Sequence, residues 1–228
     1  MRTSLNHTPF DISSKSFVSA RSDKTNIVLH GSLSRTKYSY TSEQNSENYL
    51  MKTWGLLGDK VAGHYVVGRS GEIFSCFDED YWSNHLGPDK RVSSLNKSSI
   101  SIYLCNELYL EKENSRYYAF GYVHPSNLYK GPVFEHKFKG YNYWADYSKE
   151  QVASLVLLLK DICSRWDLST TMLENTTRLI PKASARATIV SGSNASSSSY
   201  SLPFPSWALN HLSQSGVSML SCIEEGKK

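Results

Sequence analysis

Asn26-Ile27-Val28-Leu29-His30, closed by Gly31, is the stretch that decides the architecture: a short aliphatic run bounded by a glycine reads as a buried strand that ends on a histidine. Working outward, His64 to Gly68 and Glu72 to Phe77 are β-rich runs on either side of Arg69-Ser70-Gly71, a three-residue turn containing glycine, which makes them a hairpin. Ser99 to Cys105 alternates small or polar residues with apolar ones and reads as a further strand. Two capping boxes open helices. Thr41 to Gln44 precedes Tyr49, Leu50 and Trp54, with Gly55 and Gly58 ending that helix. Ser148 to Gln151 precedes Val152, Leu155, Val156, Leu159, Ile162 and Cys163, a helical stripe running to Trp166. Thr188-Ile189-Val190 is a late strand and Phe204 to Leu212 a terminal amphipathic helix. This order predicts an α/β fold with a mixed central β-sheet flanked by helices. Ile27, Val28, Val66, Ile73, Ile100, Ile102, Leu155, Leu159 and Ile189 are expected to be buried together.

The 228 residues, 39% of them hydrophobic and 20% charged, suit one globular domain with a real core. Residues 1–24 are polar and read as an irregular arm, 25–213 as the domain, and 214–228 as a tail. Within the domain, 107–147 is a long insertion rich in tyrosine, and 191–201 is a serine-rich loop with almost nothing to bury. The 25 basic and 21 acidic residues leave a net +4 with no run of five like charges, which disfavours a nucleic-acid partner. The longest apolar stretch, Val152 to Leu159, is far short of the ~20 residues of a membrane span. No secretory signal follows Met1, so synthesis in the cytoplasm is expected. The four cysteines are widely separated, form no C-x-x-C pair, and fit a reducing compartment.

Several motifs fall in the order of one family. Ile27-Val28-Leu29-His30 resembles the first strand of the zinc-dependent N-acetylmuramoyl-L-alanine amidases and peptidoglycan-recognition proteins. Ala62-Gly63-His64-Tyr65-Val66-Val67 with Gly71-Glu72-Ile73 is similar to the family's S-A-H-Y-x-x-x-x-x-G-x-I hairpin. Tyr81-Trp82-Ser83-Asn84-His85-Leu86-Gly87 resembles its W-H-x-G segment, and Ser99-Ile100-Ser101-Ile102 its S-I-G-I-E strand. Phe138 to Trp144, with Tyr147 and Gln151, is similar to the entry of the long helix in a phage and bacterial branch, and Phe204-Pro205-Ser206-Trp207 resembles a closing F-P-W. The likeness spans roughly residues 25 to 212.

The resemblance implies hydrolysis of the amide between muramic acid and stem peptide, with a Zn²⁺ held by three protein ligands and a fourth position left for water. Those ligands are the histidine closing the first strand, a second histidine in a late G-H-x-D-I motif, and an Asp or Cys in a following D-P-G. His30 matches the first. After Ile189-Val190 the chain reads Ser191, Gly192, Ser193 and Asn194, and then Ser198 to Pro203 where the third ligand and a lysine belong. Tyr103 and Cys105 occupy the candidate positions for the acidic residue of the S-I-G-I-E strand, where some family members use tyrosine. A serine hydroxyl is a poor zinc ligand, so the expectation is a fold without its cofactor and without catalytic residues, binding peptidoglycan or a protein neighbour; a phage-particle component fits best. The alternative is a divergent zinc amidase.

The groove candidates are His64, Tyr65, Trp82, His85, Tyr103, Ser193 and Asn194. His30, His64 and His85 are three imidazoles that could gather around a metal, or His64 packs beside the hairpin and His85 bonds to backbone. Cys105 and His30 could form a nucleophile and base, or Cys105 is a core residue. His124, His136 and His211 are expected to be solvated. The insertion's Tyr109, Tyr117, Tyr118, Phe120, Tyr122 and Tyr129 suit either a recognition surface or an extra layer on the sheet.

Overall fold

The computed structural model describes residues 5–32, 51, 54, 61–120, 123–138, 140–173, 189–191 and 204–220. Among these, eight strands form one sheet: β1 (Thr8–Pro9), β2 (Asn26–Gly31), β3 (Tyr65–Val67), β4 (Ile73–Ser75), β5 (Ser99–Leu104), β11 (Thr171–Leu173), β12 (Ile189–Ser191) and β13 (Ser218–Leu220), in the order β1-β4-β3-β5-β2-β12-β11-β13. Its pairings are parallel except the β3–β4 hairpin. Helices α1 (Ser93–Ser98), α2 (Lys149–Trp166) and α3 (Ser206–Gln214) accompany it. The mixed α/β architecture is therefore as the sequence reads. Of the helix expected from Thr41, only Met51 and Trp54 lie among the described residues, and both are helical. The serine-rich loop lies outside them from residue 192 onward.

Alternation along the strands sorts side chains onto two faces. Ile27, Leu29, Tyr65, Val67, Ile73, Ile100, Ile102 and Leu104 meet Val152, Leu155, Leu159 and Ile162 of α2 in the main core. Val66, Phe74, Tyr103 and Cys105 face the other way and pack with Met51, Trp54 and Ala62. The expected core thus divides: Val66 is buried on the side opposite Ile27, while Val28 is fully buried and Ile189 pairs in register with Ile27.

The insertion is a second, antiparallel sheet, ordered β8-β7-β6-β10-β9 from β6 (Tyr109–Glu113), β7 (Arg116–Ala119), β8 (Leu128–Tyr129), β9 (Val133–Phe138) and β10 (Tyr141–Ala145). Phe138 and Trp144, flanked by Tyr109, Phe134 and Tyr141, join the main core. Leu110, Ala119, Tyr129 and Ala145 form a separate cluster with Tyr117, Phe120, Val133 and Tyr143. The reading of an extra layer on the main sheet is the one that Phe138 and Trp144 bear out.

Polar side chains tie the two sheets together. Arg69, on the hairpin turn, donates to the Glu107 carboxylate at 2.9 Å and to the Asp146 carbonyl at 2.6 Å; the Arg69 and Glu107 side chains are 7% and 0% exposed. Asn106 donates to the Ala145 carbonyl at 3.2 Å. The Ser148 hydroxyl caps α2 by accepting from the Gln151 N–H, but the Gln151 side chain does not close the expected capping box. It is fully buried and donates to the Val67 and Cys105 carbonyls at 2.8 and 3.1 Å, pairing its amide with backbone acceptors at the strand ends.

Candidate functional site at the end of the central strands

β2 and β5 run parallel with His30 opposite Tyr103, so both side chains leave the sheet on the same face at its C-terminal edge. That edge is where open parallel sheets place their sites. The two rings stack, with centroids 4.4 Å apart and planes 13° from parallel. Close behind, a Cβ on Gly63 would fall 2.5 Å from the Tyr103 ring, so only glycine admits the tyrosine there.

His85 comes to the same place from a loop. Its two following residues are held by Asn96 of α1, whose amide oxygen accepts from the Leu86 N–H and whose amide nitrogen donates to the Gly87 carbonyl, both at 2.9 Å. Gly87 has a φ of +96°, which closes the turn. The Tyr103 hydroxyl donates to the His85 carbonyl at 3.4 Å. The outcome is a direct imidazole pair, His30 Nε2 to His85 Nδ1 at 2.9 Å, with the residues 3% and 4% exposed. Burial lowers His30 to about 3 and holds His85 well below the usual histidine value, the neighbouring His30 adding to the second effect. Both rings are therefore neutral, one nitrogen of the pair carries the bridging proton, and among the described residues His85 Nε2 is buried without a hydrogen bond of ordinary geometry.

His64 is nearby in character but separately engaged. Its Nδ1 accepts from the Ser101 N–H at 3.0 Å, which leaves Nε2–H to donate to the Tyr81 carbonyl at 3.1 Å. Burial, with the charge of Lys24 second, lowers it to about 3. The packing role is the one the structure gives it. Lys24, which sequence reasoning passed over, is buried and donates to the Tyr81 and Lys97 carbonyls at 2.6 and 2.8 Å; burial brings it down to about 8. Asn96 is not singled out by the sequence, since burial inside a short helix leaves no pattern there.

The structure separates the remaining candidates. Tyr65 lies on the opposite face, donating to Glu79 at 2.7 Å, and Glu79 is also held by Arg165 and Trp166. A cavity of about 680 Å³ borders that cluster, lined by Phe10, Tyr65, Phe77, Asp78, Glu79 and Arg165 among others; His30, His85 and Tyr103 take no part in it. Trp82 is half-buried, bridges to Val18, and carries the Lys97 ammonium 5.2 Å above its ring. Ser193 and Asn194 lie outside the described residues. Cys105 is fully buried in the cluster with Trp54 and Val66, while the His30 ring is engaged by His85 and Tyr103. His124, His136 and His211 are exposed.

Zinc takes His, Cys and carboxylate donors, almost always three or four from the protein. Among the described residues no three His, Cys, Asp or Glu side chains are grouped to hold an ion. The His30 Nε2 is engaged with His85 Nδ1. Among the described residues, these donors alone do not make up the set that the metal implied by the resemblance requires.

Among the described residues no helix is long and apolar enough to cross a membrane. Solved structures with a similar fold include the catalytic domain of XlyA, 14% identical over 92% of this chain and 97% of that one, with a TM-score of 0.47. Others are the amidase LysC from Clostridium intestinale URNW, 10% identical over 92% and 97% with a TM-score of 0.43, and the Ph2119 endolysin from the Thermus scotoductus MAT2119 bacteriophage Ph2119, 12% identical over 92% and 99% with a TM-score of 0.45. A search of curated proteins gives no significant match. Residues 21–183, which include the histidine-ended strand, the hairpin, the His85 loop and α2, match the family model for N-acetylmuramoyl-L-alanine amidase, and the chain belongs to that family.

Proposed function

We propose that this member of the amidase family binds peptidoglycan through the groove at His30, Tyr103 and His85 without hydrolysing it by the zinc mechanism. The carrying observation is one of register. β12 runs parallel to β2 with Ser191 opposite Leu29, one residue short of His30, and the chain that follows has no histidine before His211. The late histidine that should stand beside His30 is replaced in sequence by Gly192, Ser193 and Asn194, and neutral hydroxyl or amide groups make weak zinc ligands. What this end of the sheet holds is a neutral imidazole pair stacked on Tyr103, groups suited to hydrogen bonding and apolar contact with a glycopeptide. The motif branch makes a phage particle the fitting setting.

The test uses the purified chain on dye-labelled sacculi, with and without a chelator. Retention that the chelator leaves unchanged, with no dye release, is the expected result, and His85→Ala should weaken retention. No retention would turn the search to a protein neighbour. Dye release abolished both by chelator and by His30→Ala would overturn the reading in favour of a divergent zinc amidase.

A further inference from the structure

We infer that His85 is a positioning residue for His30: it accepts a hydrogen bond from His30 Nε2–H and so holds His30 in the tautomer whose Nδ1 is bare, an acceptor for an amide N–H of the bound glycopeptide. The ligand is that of the proposed function, on which this part rests. His30 Nε2 and His85 Nδ1 are 2.9 Å apart, an ordinary hydrogen-bond length, and both residues are more than nine-tenths buried.

A neutral imidazole has one N–H and one bare nitrogen, so the bridge can be built in two ways. If His85 donates, its own Nε2 is bare; if His30 donates, His85 Nε2 carries the proton. The surroundings of His85 decide between them. Its Nδ1 is taken by His30, and the rest of the ring meets the backbone carbonyl of Asn96, a contact that favours a protonated nitrogen. A carbonyl oxygen only accepts, so a bare Nε2 beside it would set lone pair against lone pair in a buried place. His85 therefore keeps Nε2–H, its Nδ1 accepts, and the bridging proton belongs to His30. His64 follows the same logic, with Nε2–H on the Tyr81 carbonyl and Nδ1 accepting from the Ser101 N–H. Asn96 holds the arrangement twice over, since its side chain also fixes Leu86 and Gly87 next to His85. Tyr103 stacks on the His30 ring and keeps it in the plane that reaches His85. With Nε2 committed, the remaining polar atom of the His30 ring is Nδ1. It has no hydrogen-bond partner among the described residues and, unlike His85 Nε2, is not sealed off from solvent.

The experiment is long-range ¹H–¹⁵N NMR of the full chain labelled at histidine, which tells protonated from bare ring nitrogens, on the wild type, His85→Asn and His85→Ala, with and without N-acetylmuramoyl dipeptide. In the wild type, His30 and His85 are each expected to be protonated at Nε2 and bare at Nδ1, with a coupling across the bridge. His85→Asn, whose amide oxygen stands in for Nδ1, keeps His30 in that tautomer, whereas in His85→Ala the two His30 nitrogens exchange protons and average. A merely space-filling His85 would not separate the two variants in this way. The dipeptide shifts the bare His30 Nδ1 signal upfield, as an accepted hydrogen bond does. A wild-type His30 protonated at Nδ1, or an unchanged tautomer in His85→Ala, overturns the positioning role. Should His85→Ala not fold, the wild-type and His85→Asn spectra decide. Retention on sacculi is read separately. A bare Nδ1 with neither a dipeptide shift nor retention removes the peptidoglycan reading and leaves the positioning role, retention without a shift overturns the acceptor role of Nδ1, and retention with His30 protonated at Nδ1 leaves only the peptidoglycan reading.

Discussion

At the scale of single residues, the buried histidines make the chain's stability depend on acid. His64 is held to about 3 by burial first and by the Lys24 charge second, whereas in the unfolded chain it titrates near 6.5. Between those values the unfolded state binds a proton that the folded state refuses, so stability is full above the unfolded value and falls as the pH drops toward the folded one. The slope reaches up to about 1.4 kcal/mol per pH unit for this group. Urea midpoints should decline from about pH 7 to about pH 5; a flat profile would show that His64 takes up its proton while folded. His30 was legible from the sequence because it closes an aliphatic strand. Its partner His85 comes only from the resemblance, which sets it on the same groove, since nothing in the spacing from His30 to His85 reveals that a short helix presents Asn96 to hold the second histidine's loop. Tyr65 shows the converse error. It sits beside His64 in a recognised motif, but strand alternation sends adjacent side chains to opposite faces, and a period-2 reading of that run already separates them.

At the scale of elements, what is legible is what carries a long pattern. β5 with its alternation, the hairpin with its glycine turn, and α2 with its stripe and serine cap all stand where the sequence puts them. β1 and β13 are two and three residues long, lie in the arm and the tail, and exist because β4 and β11 offer them a hydrogen-bonding edge. Such strands have no pattern of their own to read. The joint between the sheets is similarly invisible, resting on Arg69 and Glu107, which are 38 positions apart. Because both groups are desolvated, Glu107→Gln should destabilise the chain by about 3–5 kcal/mol in chemical denaturation, the neutral amide removing the carboxylate charge from beside the buried guanidinium. Arg69→Met with Glu107→Leu should cost less than the sum of the two single changes. A loss under about 1 kcal/mol for Glu107→Gln would show that the apolar contacts alone dock the second sheet.

At the scale of the whole molecule, the two sheets are one cooperative body among the described residues, because Phe138 and Trp144 of the second sheet belong to the same buried cluster as Ile27 and Leu155. Trp144 is 1% exposed and its indole N–H donates to the His136 carbonyl, so Trp144→Ala should cost about 3–5 kcal/mol. The unfolding transition should stay single, with amides of β5 and β6 opening at the same free energy in hydrogen exchange. Earlier opening of β6 would mark the second sheet as an independent unit.

The close seat of Leu108 on Gly31 carries this coupling to the groove. A Cβ at Gly31 would fall 2.5 Å from the Leu108 side chain, so the first residues of the second sheet's approach rest on the peptide that immediately follows His30. In mechanical terms the second sheet is a lever whose fulcrum is Gly31. A pull on its tyrosine-bearing strands would reach the His30 end of β2 through this contact, alongside the shared core and the Arg69–Glu107 joint.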